Sequence, residues 1–173
     1  MDRLLSLFEV SFETPNVAAE IARHRAWAPP VADEVAACDG LARVIRDYPR
    51  TSDARRALLD IGGIYARKGD WRSAEAPFRY VMEMMEGQSA ARIAHFRLIE
   101  LYRYAGTPQG VDAIDECRAA VAAYAGTDEE GLGRMLLADM LAARESFQPA
   151  FEEFQRVVDR FPGRPYTNYA RIR

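Results

Sequence analysis

A ladder of apolar residues recurs along this chain and limits what it can fold into. Ala37, Leu41 and Val44 are followed by Ala74, Phe78 and Val81, then by Ala113, Cys117 and Ala120, then by Ala150, Phe154 and Val157. All three columns advance by 37, 39 and 37 residues, a regularity that marks an internal structural repeat. Within each set a small residue leads, a second apolar residue follows four later and a third three after that, which is the spacing of one helical face. Upstream of the last three sets lie Ile61-Gly-Gly-Ile-Tyr-Ala-Arg-Lys-Gly69, Leu98-Ile-Glu-Leu-Tyr-Arg-Tyr-Ala-Gly106 and Leu137-Ala-Asp-Met-Leu-Ala-Ala-Arg-Glu145, again with apolar residues three and four apart. The pattern predicts an all-α chain of antiparallel helical hairpins, each burying its apolar face against the next.

The punctuation fits that reading. Close approach of two helices needs small residues, which Gly62, Ala74 and Ala150 supply. Gly69 and Gly106 stand where left-handed caps would end the first helices, and Asp70 and Ser146 where the second helices would start. Thr127-Asp-Glu-Glu130 has capping-box spacing, and Ser52 and Ser89 are expected to start helices of their own units. Pro77 falls inside an expected helix, where it removes the hydrogen bond to the Ser73 carbonyl and predicts a kink or a delayed start.

These residues resemble the tetratricopeptide repeats, hairpins of about 34 residues with Trp, Leu-Gly, Tyr, Ala, Phe and Pro at set spacings. In the stretch 55–86, Leu58 stands for the Trp, Ile61-Gly62 for Leu-Gly, then come Tyr65, Gly69, Trp71, Ala74 and Phe78, with Glu86 where the closing Pro would be. A later unit keeps Phe147, Ala150, Phe154, Val157 and Pro162, while Ala138 and Leu141 replace Gly and Tyr. Between them, Tyr102 and Gly106 are followed by two extra residues in Thr107-Pro-Gln-Gly110, and Cys117 replaces Phe. The resemblance implies a right-handed α-solenoid of about four units over 31–173. It comprises a second helix at 31–49, units at 52–87, 89–125 and 127–162, and the start of a further helix at 163–173.

Composition bounds the rest. The chain has 173 residues, 49% of them apolar, and a formal net charge of −3. One helical-repeat domain accounts for that length, and the charge balance supplies no basic field for nucleic acid. Lys68 is the single lysine among 23 basic residues, a bias read as compositional. Cys38 and Cys117 lie on second-helix core faces without Cys-x-x-Cys spacing, so they read as small buried hydrophobes and not as metal ligands. No apolar run is long enough to span a bilayer. The start, Met1 to Phe12, lacks the shape of a signal peptide, which gives a cytoplasmic expectation. A signal removed earlier would make the chain periplasmic or envelope-associated.

The ends depart from the repeat. Residues 1–30 are expected to form a helical cap or arm: an apolar segment through Leu4, Leu5, Leu7, Phe8, Val10 and Phe12, then a helix opened by Thr14-Pro15 and stopped at Ala28-Pro29-Pro30. At the other end, Pro162 to Arg173 matches Pro49 to Asp60, with Ala170 in the place of Ala57. This reads as the beginning of a fifth hairpin: a fragment of a longer protein, a short cap, or an end covered by another copy through self-association of the terminal helices.

Catalysis, cofactors and metals find no motif. His24 and His95 lack His-Glu-x-x-His spacing, and neither a phosphate loop nor a nucleophile elbow is present. His95 reads as a packed histidine, Asp115-Glu116 and Glu152-Glu153 as solvated faces, and Met82, Met84 and Met85 as gap fillers. The expected function is therefore non-catalytic, a scaffold or module for protein interaction. The resemblance places its partner site on the inner wall formed by first helices: Arg56, Leu59 and Arg67 with Gly63 and Ala66; Phe96, Glu100, Arg103 and Tyr104 with Ile93; Met135 and Asp139 with Leu132 and Ala143. Such a wall suits an extended peptide or a partner helix with apolar anchors. Leu59 and Gly63 stand where the family's carboxylate clamp uses Lys and Asn, which argues against that subclass. Alternatives are an accessory or regulatory domain of a larger enzyme or envelope assembly protein, and an RNA-binding helical repeat, which the acidic balance opposes. The phrase Tyr48-Pro49-x-Thr51-Ser52-x-x-Arg55-x-Ala57-Leu58 and its echo at Phe161-Pro162 are similar to bacterial envelope-associated repeat proteins.

If the ladder marks close helix packing, Ala74→Trp and Ala150→Trp will each overpack an interface at a cost of about 1–3 kcal/mol. Thermal melts followed by circular dichroism should show both variants melting below the parent, and unchanged melting in both would refute the repeat.

Overall fold

The computed structural model describes residues 17–26, 34–49, 51–105, 110 and 112–172. The chain is all-helical, and the described residues form nine α-helices and no strand. They fall into two compact units, one within Met1–Glu86 and the other within Gly87–Arg173. In the first, α1 (Val17–Ala26), α2 (Glu34–Asp47), α3 (Ser52–Arg67) and α4 (Trp71–Met84) pack in sequence order, and α1 also meets α3. The second holds α5 (Ser89–Ala105), α6 (Ala113–Ala123), α7 (Glu130–Ala143), α8 (Phe147–Arg160) and α9 (Pro165–Ile172). Here too neighbours pack in order, and α5 meets α7 as α7 meets α9. Contact between alternate helices is what lets a hairpin bury both its helices against the next. The expected segment before Thr14, the stop at Ala28-Pro29-Pro30, the Gly106 cap and the Thr107 insertion lie outside the described residues.

The ladder is the core. Its twelve residues, Ala37 to Val157, are each 9% exposed or less. Small residues set the approach distances. A Cβ built on Gly62 would sit 2.7 Å from the Phe78 ring, and one on Gly133 would overlap the Phe96 ring and come within 2.9 Å of Val121. Those separations are below van der Waals contact, so a side chain at either position would displace the facing ring. Pro77 is fully buried, and α4 runs through it from Trp71 without the delayed start anticipated. The methionines divide: Met85 is buried, whereas Met84 is 51% exposed.

Helix ends explain which residues stop and start each element. Asp70 caps α4, its carboxylate accepting from the Ser73 N–H at 3.1 Å, and Asp112 does the same for α6 through Ile114 at 2.8 Å. Several expected caps are displaced. Thr51, not Ser52, caps α3, accepting from the Ala54 N–H at 3.2 Å. The Ser89 hydroxyl instead donates to Glu129 at 2.5 Å. Ser146 does stand at the start of α8 as expected, but without a side-chain cap bond. The box from Thr127 to Glu130 does not form: α7 begins at Glu130, Thr127 donates to the Tyr124 carbonyl at 2.8 Å, and Glu130 accepts from the Gly126 N–H at 2.7 Å. Glu130 thus reaches one residue further back than a capping box would, while also accepting from Arg134 and Arg160.

Two turns close by the same device. After α3, Gly69 N–H donates to Ala66 O and Asp70 N–H to Tyr65 O, both at 3.0 Å. After α7, Glu145 N–H donates to Ala142 O and Ser146 N–H to Leu141 O, also at 3.0 Å. These are paired 5→2 and 6→1 closures that need a left-handed residue between the helices. Such short connections force the joined helices antiparallel. Gly69 meets the requirement at φ +74°, whereas Glu145 holds φ 58°, a conformation that crowds Cβ against the backbone. Glu145→Gly should therefore raise the stability of the second unit by up to about 1 kcal/mol. A urea titration should show the midpoint rising, and a fall would mean that the Glu145 side chain outweighs its strain.

Candidate functional site

Because α5 and α7 lie side by side in the second unit, their outward positions converge. Between them is a depression of about 130 Å³ lined by Phe96, Arg97, Glu100, Leu132, Met135, Leu136 and Asp139. Five of the residues read from the sequence, Phe96, Glu100, Leu132, Met135 and Asp139, thus meet at one place. Phe96 and Met135 are 2% and 6% exposed and form its floor. Leu132 and Leu136 are half-buried walls. Glu100 lies at the rim, accepting from Arg97 at 2.8 Å. The sequence reading missed Arg97 and Leu136, which follow Phe96 and Met135 by one position. Arg103 and Tyr104 lie further along α5, outside the depression, with the Arg103 guanidinium 5.3 Å from the centre of the 61%-exposed Tyr104 ring.

The remaining predicted wall residues belong to the first unit. Arg56 is exposed, 3.9 Å from the buried Asp53 carboxylate. Leu59 is half-buried, and Arg67 reaches Glu34 at 3.3 Å. Asp53 is held chiefly by Arg23 of α1 at 3.1 Å, and Arg23 also reaches Asp60 at 3.4 Å. Arg56 and Arg67 are thus engaged with acids of their own unit.

What positions α7 is a buried charge network that the sequence reading did not anticipate. Glu130, 0% exposed, accepts from Arg134 at 2.8 Å and from Arg160 of α8 at 2.6 and 3.2 Å. Arg134 also donates to Glu153 at 2.7 Å, and Glu153 pairs with Arg156. Glu153 had been read as part of a solvated face, but it turns inward, 8% exposed, to meet Arg134. Beside it, Glu129 takes hydrogen bonds from Ser89 and Arg92, both at 2.5 Å, fastening α5 to the start of α7. Among the described residues no buried side-chain nitrogen or oxygen lacks a partner, which is the condition for a buried ionic network not to be a liability.

Burial pushes the Glu130 and Glu129 carboxyls up, but hydrogen bonds and arginine charges outweigh it. The Gly126 N–H, Arg134 and Arg160 hold Glu130 below the usual carboxylate range, as Ser89 and Arg92 hold Glu129.

His95 packs in α5 with Nδ1 2.7 Å from the Tyr124 hydroxyl and Nε2 3.4 Å from Glu116. Burial pushes the Tyr124 hydroxyl up, and it pushes the Cys117 thiol up to about 12. Neither group is prepared as a nucleophile. Cys38 is half-buried and not fully in the core, and both cysteines are free. The His24 side chain lies outside the described residues. Among the described residues no group of His, Cys, Asp and Glu is arranged to hold a metal ion, and no helix is long and apolar enough to cross a membrane.

The sequence matches no protein-family model and no curated protein. The geometry itself is therefore what bears on function.

A carboxyl whose folded-state pKa is depressed stabilises the fold above its unfolded pKa, and that contribution is lost as pH falls through the folded value. With Glu129 and Glu130 both depressed, the second unit should lose stability as pH falls from about 5 to about 3. Urea titrations across that range should show the loss, and Glu130→Gln should cost about 2 kcal/mol or more at neutral pH while flattening the acid limb. An unchanged acid limb in that variant would show that Glu130 is not the coupled group.

Proposed function

We propose that this chain is a non-catalytic protein-interaction module built from tetratricopeptide-like hairpins, each unit a segment of a right-handed α-solenoid. Its partner is an extended peptide or a helix laid on the face of the first helices. The depression between α5 and α7 carries the proposal, since it joins a partly open apolar wall to charged groups at the rim. Apolar anchors ringed by polar groups are the usual arrangement of an interaction hot spot. The neighbouring ion pairs hold α5 and α7 in place before any partner arrives, which limits the ordering cost of binding.

The test leaves the core intact. Leu136 is half-buried in the wall, so Leu136→Glu should spare the fold and place a charge where the anchor would sit. Affinity capture with parent and variant from the native cell extract should recover proteins on the parent that the variant loses, with helicity unchanged by circular dichroism. Recovery of the same proteins by both would move the binding face elsewhere.

A further inference from the structure

We infer that the outer side of α9 takes an amphipathic helix of a partner protein, one that presents a glutamate to Arg171. This face shares no residue with the depression between α5 and α7 and does not depend on it. The second unit builds the required clasp twice. In the hairpin of α5 and α6, His95 Nε2 lies 3.4 Å from the Glu116 carboxylate. In the hairpin of α7 and α8, Arg134 donates to Glu153 at 2.7 Å. Arg134 follows His95 by 39 residues and Glu153 follows Glu116 by 37, which are the intervals of the ladder, so both pairs occupy one position of the repeat. Each joins a nitrogen base on a first helix to a glutamate on the second, three residues after the small residue, Ala113 or Ala150, that leads the ladder. Residues three apart share a helical face, so the glutamate and the small residue meet the first helix together.

Arg171 holds the third such position, 37 residues after Arg134. Helix α9 is seated as α7 is: Ala170 is buried in the core that holds Ala150 and Phe154, just as Gly133, beside Arg134, is buried against Phe96 and Val121. The clasp, however, is open. The Arg134 side chain is 15% exposed, whereas Arg171 is exposed and no ion pair among the described residues engages it. The apolar surface around it is open too. Ile172 is 84% exposed where Met135, 37 residues earlier, is 6% exposed, and Phe151 of α8 is 60% exposed where Ile114, again 37 earlier, is 6% exposed. A cation beside apolar side chains that the preceding repeat covers calls for the group used there: a helix with a small residue, a glutamate three later and a large apolar residue after it. A carboxylate at that place is attracted to the guanidinium, and an arginine or lysine is repelled. A second copy of the chain is not the source, because Glu116 and Glu153 are already engaged inside their own hairpins; the helix comes from a different protein.

The probe is the sequence of α8 itself, Phe147–Arg160, which carries Ala150, Glu153, Phe154 and Val157 in that order. A staple between positions 148 and 152 holds the isolated peptide helical, which so short a segment would not be alone. Added to the full chain with methyl-labelled Ile, it should shift the Ile172 signal. A Glu153→Arg peptide should bind about tenfold more weakly, and Arg171→Glu in the chain should reverse that order while leaving helicity by circular dichroism unchanged. An unmoved Ile172 signal, equal binding of the two peptides, or an order that Arg171→Glu leaves intact overturns the inference. Self-association in sedimentation that Arg171→Glu abolishes overturns it as well, by making a second copy the occupant. Peptide binding lost in Leu136→Glu would place the helix in the depression instead and refute this face.

Discussion

Gly133 decides how closely α7 can lie to α5 and α6. A Cβ there would overlap the Phe96 ring and press on Val121, so the absence of a side chain brings the helices together and turns Phe96 inward. That one approach places Phe96 beneath the gap between α5 and α7, where it becomes the floor of the depression. Gly62 lets α3 close on Phe78 of α4 in the first unit by the same means. The ladder lies within the buried apolar core, and the glycines set distances at which its helices pack.

Charge fixes what packing alone leaves loose. An apolar interface tolerates sliding by a fraction of a turn, whereas Glu130 accepts a two-nitrogen fork from Arg160 while holding Arg134 and the Gly126 N–H. Those four bonds tie α7 to α8 and to the turn before α7, and they specify one register. The planar guanidinium suits this better than an ammonium would, since it meets both carboxylate oxygens at once. On the other side, Glu129 with Ser89 and Arg92 fixes α5 against the same turn.

The helices and their buried columns were legible because a repeat writes each hairpin several times, and errors in one copy are corrected by the others. What happens once was not. Helix α1 contacts α3 as α5 contacts α7, yet its buried Ala19 and 45%-exposed Ile21 stand 37 residues before exposed Arg56 and buried Leu58. Its packing is out of step with the ladder, so periodicity could not find it. Glu153 was misread for a related reason. A carboxylate in an amphipathic pattern counts as outward unless its arginine is known, and Arg134 lies 19 residues from Glu153. The site was partly legible: the family resemblance pointed to Phe96, Glu100, Leu132, Met135 and Asp139, but it cannot tell whether the next residue, such as Leu136, falls inside or outside a depression that two helices share.

Cys117 gives the second unit an internal clock. Its sulfur is fully buried, 3.6 Å from the Gly133 carbonyl, and its thiol is pushed up to about 12. Electrophiles react with thiolates, so in the closed unit this residue is screened twice, by access and by protonation. It becomes reactive only when α6 and α7 part. The half-buried Cys38 is sheltered less, although burial raises its thiol too, so the two thiols of one chain keep time on different events, one at the surface of the first unit and one at the opening of the second.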